Sequence, residues 1–205
     1  MWSSSISGRL GRSLCAKRAM VWEEMNKMVS SEKDKMIPQL PKIEAGAALR
    51  VCFNAASSVS RLLFLVSPTC EICVSGALSA AQAVLSLSPA CDFRLYLLWL
   101  PVLENDSIEA AAQTRALLPV DGRTEHFWDD DLQVSRAYHQ TLQLAERQRR
   151  HRVAWDIFLL YRFGVRWGEA PPAPDFWMHQ LFLDDVPKLD VDTLKYELEQ
   201  TLRGA

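Results

Sequence analysis

Residues 61–87 read RLLFLVSPTCEICVSGALSAAQAVLSL, and the fold turns on them. The run at 61–66 is almost wholly apolar and is followed by Ser67, Pro68 and Thr69. A short apolar run bounded by turn residues reads as a buried strand. From Cys70 to about Leu87 the period changes. Val74, Ala77, Leu78, Ala81, Val84 and Leu85 fall at offsets of 0, 3, 4, 7, 10 and 11, which is one face of a helix. Ser88 and Pro89 stop that helix. Cys70 and Cys73 therefore stand where the strand gives way to the helix, within the helix's first turn.

The same alternation continues downstream. DFRLYLLWL at 92–100 reads as a second buried strand. Asp106, Ser107, Ile108 and Glu109 have the acid-x-x-Glu form of a capping box and predict a helix through about Leu118. Asp121 and Gly122 make a turn, and 124–128 a short strand. Asp129, Asp130 and Asp131 then open a helix to about Arg150, acids at its positive end and Arg147, Arg149 and Arg150 at its negative end. AWDIFLLY at 154–161 predicts a strand, with Phe163 and Gly164 turning it into a hairpin with 165–167. Pro171, Pro172 and Pro174 make an irregular stretch, and a short helix is expected at 176–183. Leu194, Leu198 and Leu202 predict a last helix over 190–202. Upstream, 43–54 and 20–28 carry helical spacing, and Pro38 and Pro41 mark a boundary between them. The organisation expected is an N-terminal extension at 1–42, a domain at 43–185 and a C-terminal helix within 186–205. Strands alternating with helices imply an α/β fold with parallel pairs in a mixed sheet of four or five strands, flanked by helices.

Composition narrows the function. The chain has 205 residues, 49% hydrophobic and 23% charged, with a formal net charge of −2. No global basic field favours nucleic acid as a partner. No apolar run reaches the roughly 18–20 residues that a membrane span needs. Five cysteines, an odd number with one close pair, read as a cytoplasmic, reducing setting rather than a disulfide scaffold. Residues 1–22 are rich in serine and basic residues and carry no acid, so a mitochondrial transit peptide is the alternative.

The placement of the cysteine pair has specific physics. Unpaired N–H groups and the dipole at a helix N-terminus favour an anion, so a thiolate there is stabilised. Cys70, at the mouth, is the candidate attacking sulfur, and Cys73, one turn in, the resolving one. The spacing lets the two sulfurs close into a bond with little backbone movement.

A strand RLLFLV, a loop SPT and then CEIC opening an amphipathic helix resemble the thioredoxin-like superfamily over roughly residues 43–183. The resemblance implies a thioredoxin-like mixed sheet, with Cys70 attacking a disulfide and Cys73 releasing the product. It also implies a redox-active disulfide without an organic cofactor, and protein or small-thiol partners. The chain departs from the family at named positions. Thr69 replaces the aromatic residue before the first cysteine, and Glu71–Ile72 replaces Gly–Pro between the two. Glu71 should make the pair more reducing. Phe64 stands where the family carries a buried carboxylate. No proline precedes the strand that faces the motif; Trp155 or Asp156 is expected there instead, with Asp156 or Glu71 available to relay a proton.

Two other readings use the same residues. A thioredoxin-like fold can serve as a binding scaffold without turnover. Cys70 and Cys73 could also carry a soft metal ion, although no second cysteine pair and no closely spaced histidine pair completes a zinc set. Asp129 to Asp131 could hold a cation or simply cap a helix, and the basic run near 147–152 could bind phosphate or complement a helix dipole.

Overall fold

The computed structural model describes residues 45–144, 152–181 and 183–203. All lie in the second of the chain's two units, Gln39–Ala205. Cys15, the helix expected at 20–28 and the arginines at 147, 149 and 150 lie outside the described residues.

Five strands and five helices alternate in the described chain: α1 (Ala45–Ala55), β1 (Ser60–Val66), α2 (Glu71–Leu85), β2 (Phe93–Trp99), α3 (Ile108–Arg115), β3 (Thr124–Trp128), α4 (Gln133–Thr141), β4 (Ile157–Tyr161), β5 (Phe176–His179) and α5 (Val191–Arg203). They form one sheet in the order β3-β2-β1-β4-β5. β1, β2 and β3 run parallel, with Leu62 beside Leu95 and Leu97 beside His126. β4 is antiparallel to β1, and β5 to β4. This order, with α2 leaving the central strand β1, is the thioredoxin-like fold.

β1 is buried on both faces, which is why its sequence is apolar without alternation. Its residues nonetheless divide by pleat. Leu62, Phe64 and Val66 join Cys73, Ala77, Ala81 and Val84 of α2 and Leu194 and Leu198 of α5. Leu63 and Leu65 join Leu49 and Phe53 of α1 and Val134 and Tyr138 of α4. Alanines on the inner face of α2 let that helix lie close to the sheet, which brings Cys73 into the core.

Several expected elements differ. Residues 176–183 do not form a helix; Phe176–His179 is the edge strand β5. The run FWMHQLFL is apolar apart from His179 and Gln180 and fits neither period cleanly, so pairing with β4 decides. The hairpin expected between 154–161 and 165–167 is absent. Gly164 does turn, at φ 86, but Arg61 from β1 takes the carbonyls of Arg162 and Val165. The chain returns to the sheet only after the prolines, where the Asp175 N–H donates to Leu160 O at 3.0 Å.

The helix after β3 begins at Gln133 rather than at the acids, because Leu132 holds a left-handed φ of 57. Asp129 still caps it, accepting from the N–H groups of Val134 (3.4 Å) and Ser135 (2.9 Å). Asp130 accepts from Trp128 Nε1, and Asp131 from Gln133. All three carboxylates are thus engaged locally, and the cation alternative is not needed to explain them. β4 starts at Ile157, not at 154, because Asp156 adopts φ 56.

Candidate functional site: the Cys70 and Cys73 centre

Cys70 is the N-cap of α2, with φ −79 and ψ 109. Its sulfur accepts from the Cys73 N–H at 3.4 Å and from the Cys73 thiol at 2.7 Å. Two donors and a helix N-terminus therefore converge on one sulfur, which is only partly buried. Cys73 is fully buried, at 0% exposure. Burial drives its thiol well above the ordinary range, with further contributions from the Asp156 carboxyl and from Cys70. The inner sulfur is thus kept as a thiol and the outer one is offered to solvent.

Asp156 meets this pair from β4's entrance. It is 4% exposed, and burial pushes its carboxyl up to about 6, partly offset by a hydrogen bond from Cys73. The single thiol proton of Cys73 therefore has two acceptors, Cys70 Sγ and the Asp156 carboxyl. Phe64, at the position where the family carries its carboxylate, is fully buried and packs edge-on against Phe158 at 4.9 Å. The site's carboxyl thus comes from the residue just before β4 rather than from the central strand.

Of the other sequence candidates, Trp155 is partly buried and packs against the clusters on both sheet faces. Glu71 is exposed in the first turn of α2. Thr69 donates to Asp106 from both its N–H (3.1 Å) and its hydroxyl (2.6 Å). Cys52 packs on the opposite sheet face, while Cys91 lies just before β2; the four described cysteines are free thiols. Among the described residues, no group of three or more His, Cys, Asp or Glu is placed to hold a metal ion together. No described helix is long and apolar enough to cross a membrane.

Asp106 is the residue the sequence hides. It was expected to cap α3, but Ser107 does that, its hydroxyl accepting from Ala110 N–H at 3.1 Å. Two adjacent cap-forming residues left one free for another task. Asp106 Oδ1 accepts from Ser67 Oγ (2.8 Å) and from Thr69, and Oδ2 from the N–H groups of Val102 (2.9 Å) and Leu103 (2.7 Å). Ser67 Oγ in turn accepts from the Cys70 N–H at 3.2 Å. One carboxylate thereby ties the loop that carries Cys70 to the loop after β2. Thr114 adds a hydroxyl to the Pro68 carbonyl at 3.0 Å.

No protein-family model matches the chain, and no curated protein matches it. Among solved structures, it is similar to a secreted disulfide oxidoreductase of Mycobacterium tuberculosis homologous to E. coli DsbE, at TM-score 0.45 and 15% identity over 76% of this chain and 86% of that one. It is also similar to MTB DsbF (TM-score 0.45, 12% identity, 73% and 84% covered). A third is BsSco, a member of the Sco family of cytochrome c oxidase assembly proteins (TM-score 0.43, 10% identity, 73% and 83% covered). At these scores and identities the similarities carry no weight for chemistry; strand order and register define the fold.

Proposed function

We propose that the protein is a thiol–disulfide oxidoreductase in which Cys70 is the nucleophile and Cys73 the resolving thiol. One observation carries the reading: a partly exposed sulfur at a helix N-terminus, 2.7 Å from a fully buried thiol that a buried carboxyl also contacts. Core packing accounts for Cys73 but not for the carboxyl beside it, since a buried acid is costly unless it acts or is paired.

The reaction balances as follows. The Cys70 thiolate attacks a substrate disulfide, forming a mixed disulfide and expelling one substrate thiolate, which takes a proton from water. Cys73 then passes its proton to the Asp156 carboxylate and attacks Cys70 Sγ. The Cys70–Cys73 bond forms, the mixed disulfide breaks, and the departing thiolate recovers the proton. The substrate gains two electrons and the cysteine pair loses two. A dithiol protein or a small thiol restores the pair, and no organic cofactor enters. Ile72, 63% exposed beside Cys70, offers an apolar contact to the chain flanking a protein disulfide.

The test is the Cys73→Ser variant mixed with a disulfide-bonded protein substrate or oxidised glutathione. A covalent adduct should accumulate on Cys70, because release is blocked, and should disappear when Cys70 is also replaced. If the adduct forms only on Cys15, Cys52 or Cys91, or nowhere, the assignment of roles fails.

A further inference from the structure

We propose that Gln180 is a positioning residue of this centre: its side-chain amide, seated in the space left by Gly76, holds the Asp156 carboxyl against the Cys73 thiol. The inference rests on the thiol–disulfide reading for its consequence, but not for its geometry.

Three independent features meet at Gln180. First, the β4–β5 ladder pairs Ile157 with His179, so the next residues outward, Asp156 and Gln180, face each other. The Gln180 N–H donates to Asp156 O at 3.2 Å. Second, the end of the Gln180 side chain faces two acceptors, Asp156 Oδ1 and the Ile72 carbonyl, so the amide is assigned with its nitrogen toward them, where it donates to Asp156 Oδ1 at 2.9 Å and to Ile72 O at 3.2 Å. Ile72 lies between the two cysteines, immediately before Cys73, so the amide bridges α2 to the β4 entrance. Third, α2 carries glycine where it faces this amide. A methyl group at Gly76 would overlap the end of the Gln180 side chain. Glycine weakens a helix interior relative to alanine, so its presence here is explained by the approach of Gln180 rather than by α2.

Asp156 needs such support. Its φ of 56 is left-handed, a conformation that residues other than glycine adopt only when their surroundings hold them. The titratable groups facing its carboxyl are Cys73 from α2 and, beyond it, Cys70. β1, β4 and β5 contribute Phe64, Phe158 and Met178 to the surrounding cluster, none of which ionises. The amide of Gln180 is a neutral donor to the carboxyl. A donor aimed at a carboxylate favours its ionised form, the form able to take the Cys73 proton.

The test uses the reduced 205-residue chain with carbon-13 in its aspartate carboxyls, the Asp156 signal being assigned by its loss in Asp156→Asn. Two variants are compared, Gln180→Met and Gly76→Ala. The second keeps glutamine at 180 and displaces its amide by filling its seat. Each should raise the Asp156 titration midpoint by about one unit, the effect of losing one hydrogen bond to the ionised form. Release of the Cys70 mixed disulfide should slow about fivefold at pH 6 and hardly at all at pH 8, following the ionised fraction of the carboxyl. Gly76→Ala adds helix propensity but displaces the Gln180 amide, so the deciding readout is the Asp156 midpoint, which a change in stability alone would not move. An unchanged midpoint in both variants overturns the proposal, and so does a shift in one without the other. If no mixed disulfide forms in any variant, the redox reading fails, while the titration still decides the role of Gln180.

Discussion

Replacing Asp156 by asparagine should remove a pH dependence of stability that the wild type carries between about pH 4 and 6. Burial raises the Asp156 carboxyl in the folded chain from 3.8 to about 6. Below pH 4 both folded and unfolded chains hold the proton, and the group contributes nothing to the difference. Between 4 and 6 the unfolded chain releases the proton while the folded chain keeps it. The folded state binds more protons there, so stability falls as pH rises. Two units at about 1.4 kcal/mol each give a loss of about 3 kcal/mol, complete above pH 6. Asparagine has no such titration. Urea unfolding of both reduced proteins at pH 4, 5, 6 and 7 isolates the effect, because the carboxyls they share, including the buried Asp129, cancel in the comparison. The variant should gain on wild type by about 3 kcal/mol from pH 4 to pH 7. Parallel stability curves for the two proteins would refute the claim that burial raises this carboxyl to about 6 in the folded chain.

Other substitutions probe the frame around the site. Asp106→Ala strips the acceptor from Ser67, Thr69, Val102 and Leu103; thermal unfolding should show a loss of about 2–4 kcal/mol, and Cys70 should become more accessible to bulky alkylating reagents. Phe64→Asp, which installs the family's carboxylate, should not rescue an Asp156→Asn protein. It buries a charge where Phe158 packs, and denaturant unfolding should register a cost of at least about 3 kcal/mol. Arg61→Leu should cost a similar amount, about 3 kcal/mol, because the buried guanidinium serves the carbonyls of Phe53, Arg162 and Val165 and lies 4.4 Å over the Phe53 ring.

What the sequence reveals follows from which forces are local. β1 and α2 are legible because a two-sided buried strand must be apolar and a half-buried helix must repeat at helical spacing. The cysteine pair is legible because its chemistry depends on the helix N-terminus it caps. β5 is not, since FWMHQLFL suits either element and only its pairing with β4 settles it. The hairpin was misread for a similar reason: Gly164 signals a turn, but the fate of the strand after it depends on Arg61, about a hundred residues upstream. Asp106 and Gln180 escape notice because the partners that tie them to the site sit on other elements, Thr69 37 residues from Asp106, and Asp156 and Ile72 before β4 and in α2, both remote from Gln180 in the chain, and no spacing rule links them. Asp156 was visible as a residue opposite the cysteines, but not as a carboxyl in contact with Cys73.

The most direct measurement is the redox equilibrium of the pair. The chain, with Cys15, Cys52 and Cys91 replaced by alanine, is equilibrated in glutathione buffers from fully reducing to fully oxidising. Remaining thiols are then alkylated and the peptides identified by mass. A single two-electron transition, with one cross-link joining Cys70 to Cys73, is the expected result. A pair that stays alkylatable in every buffer, or that oxidises only as separate glutathione adducts, would contradict it.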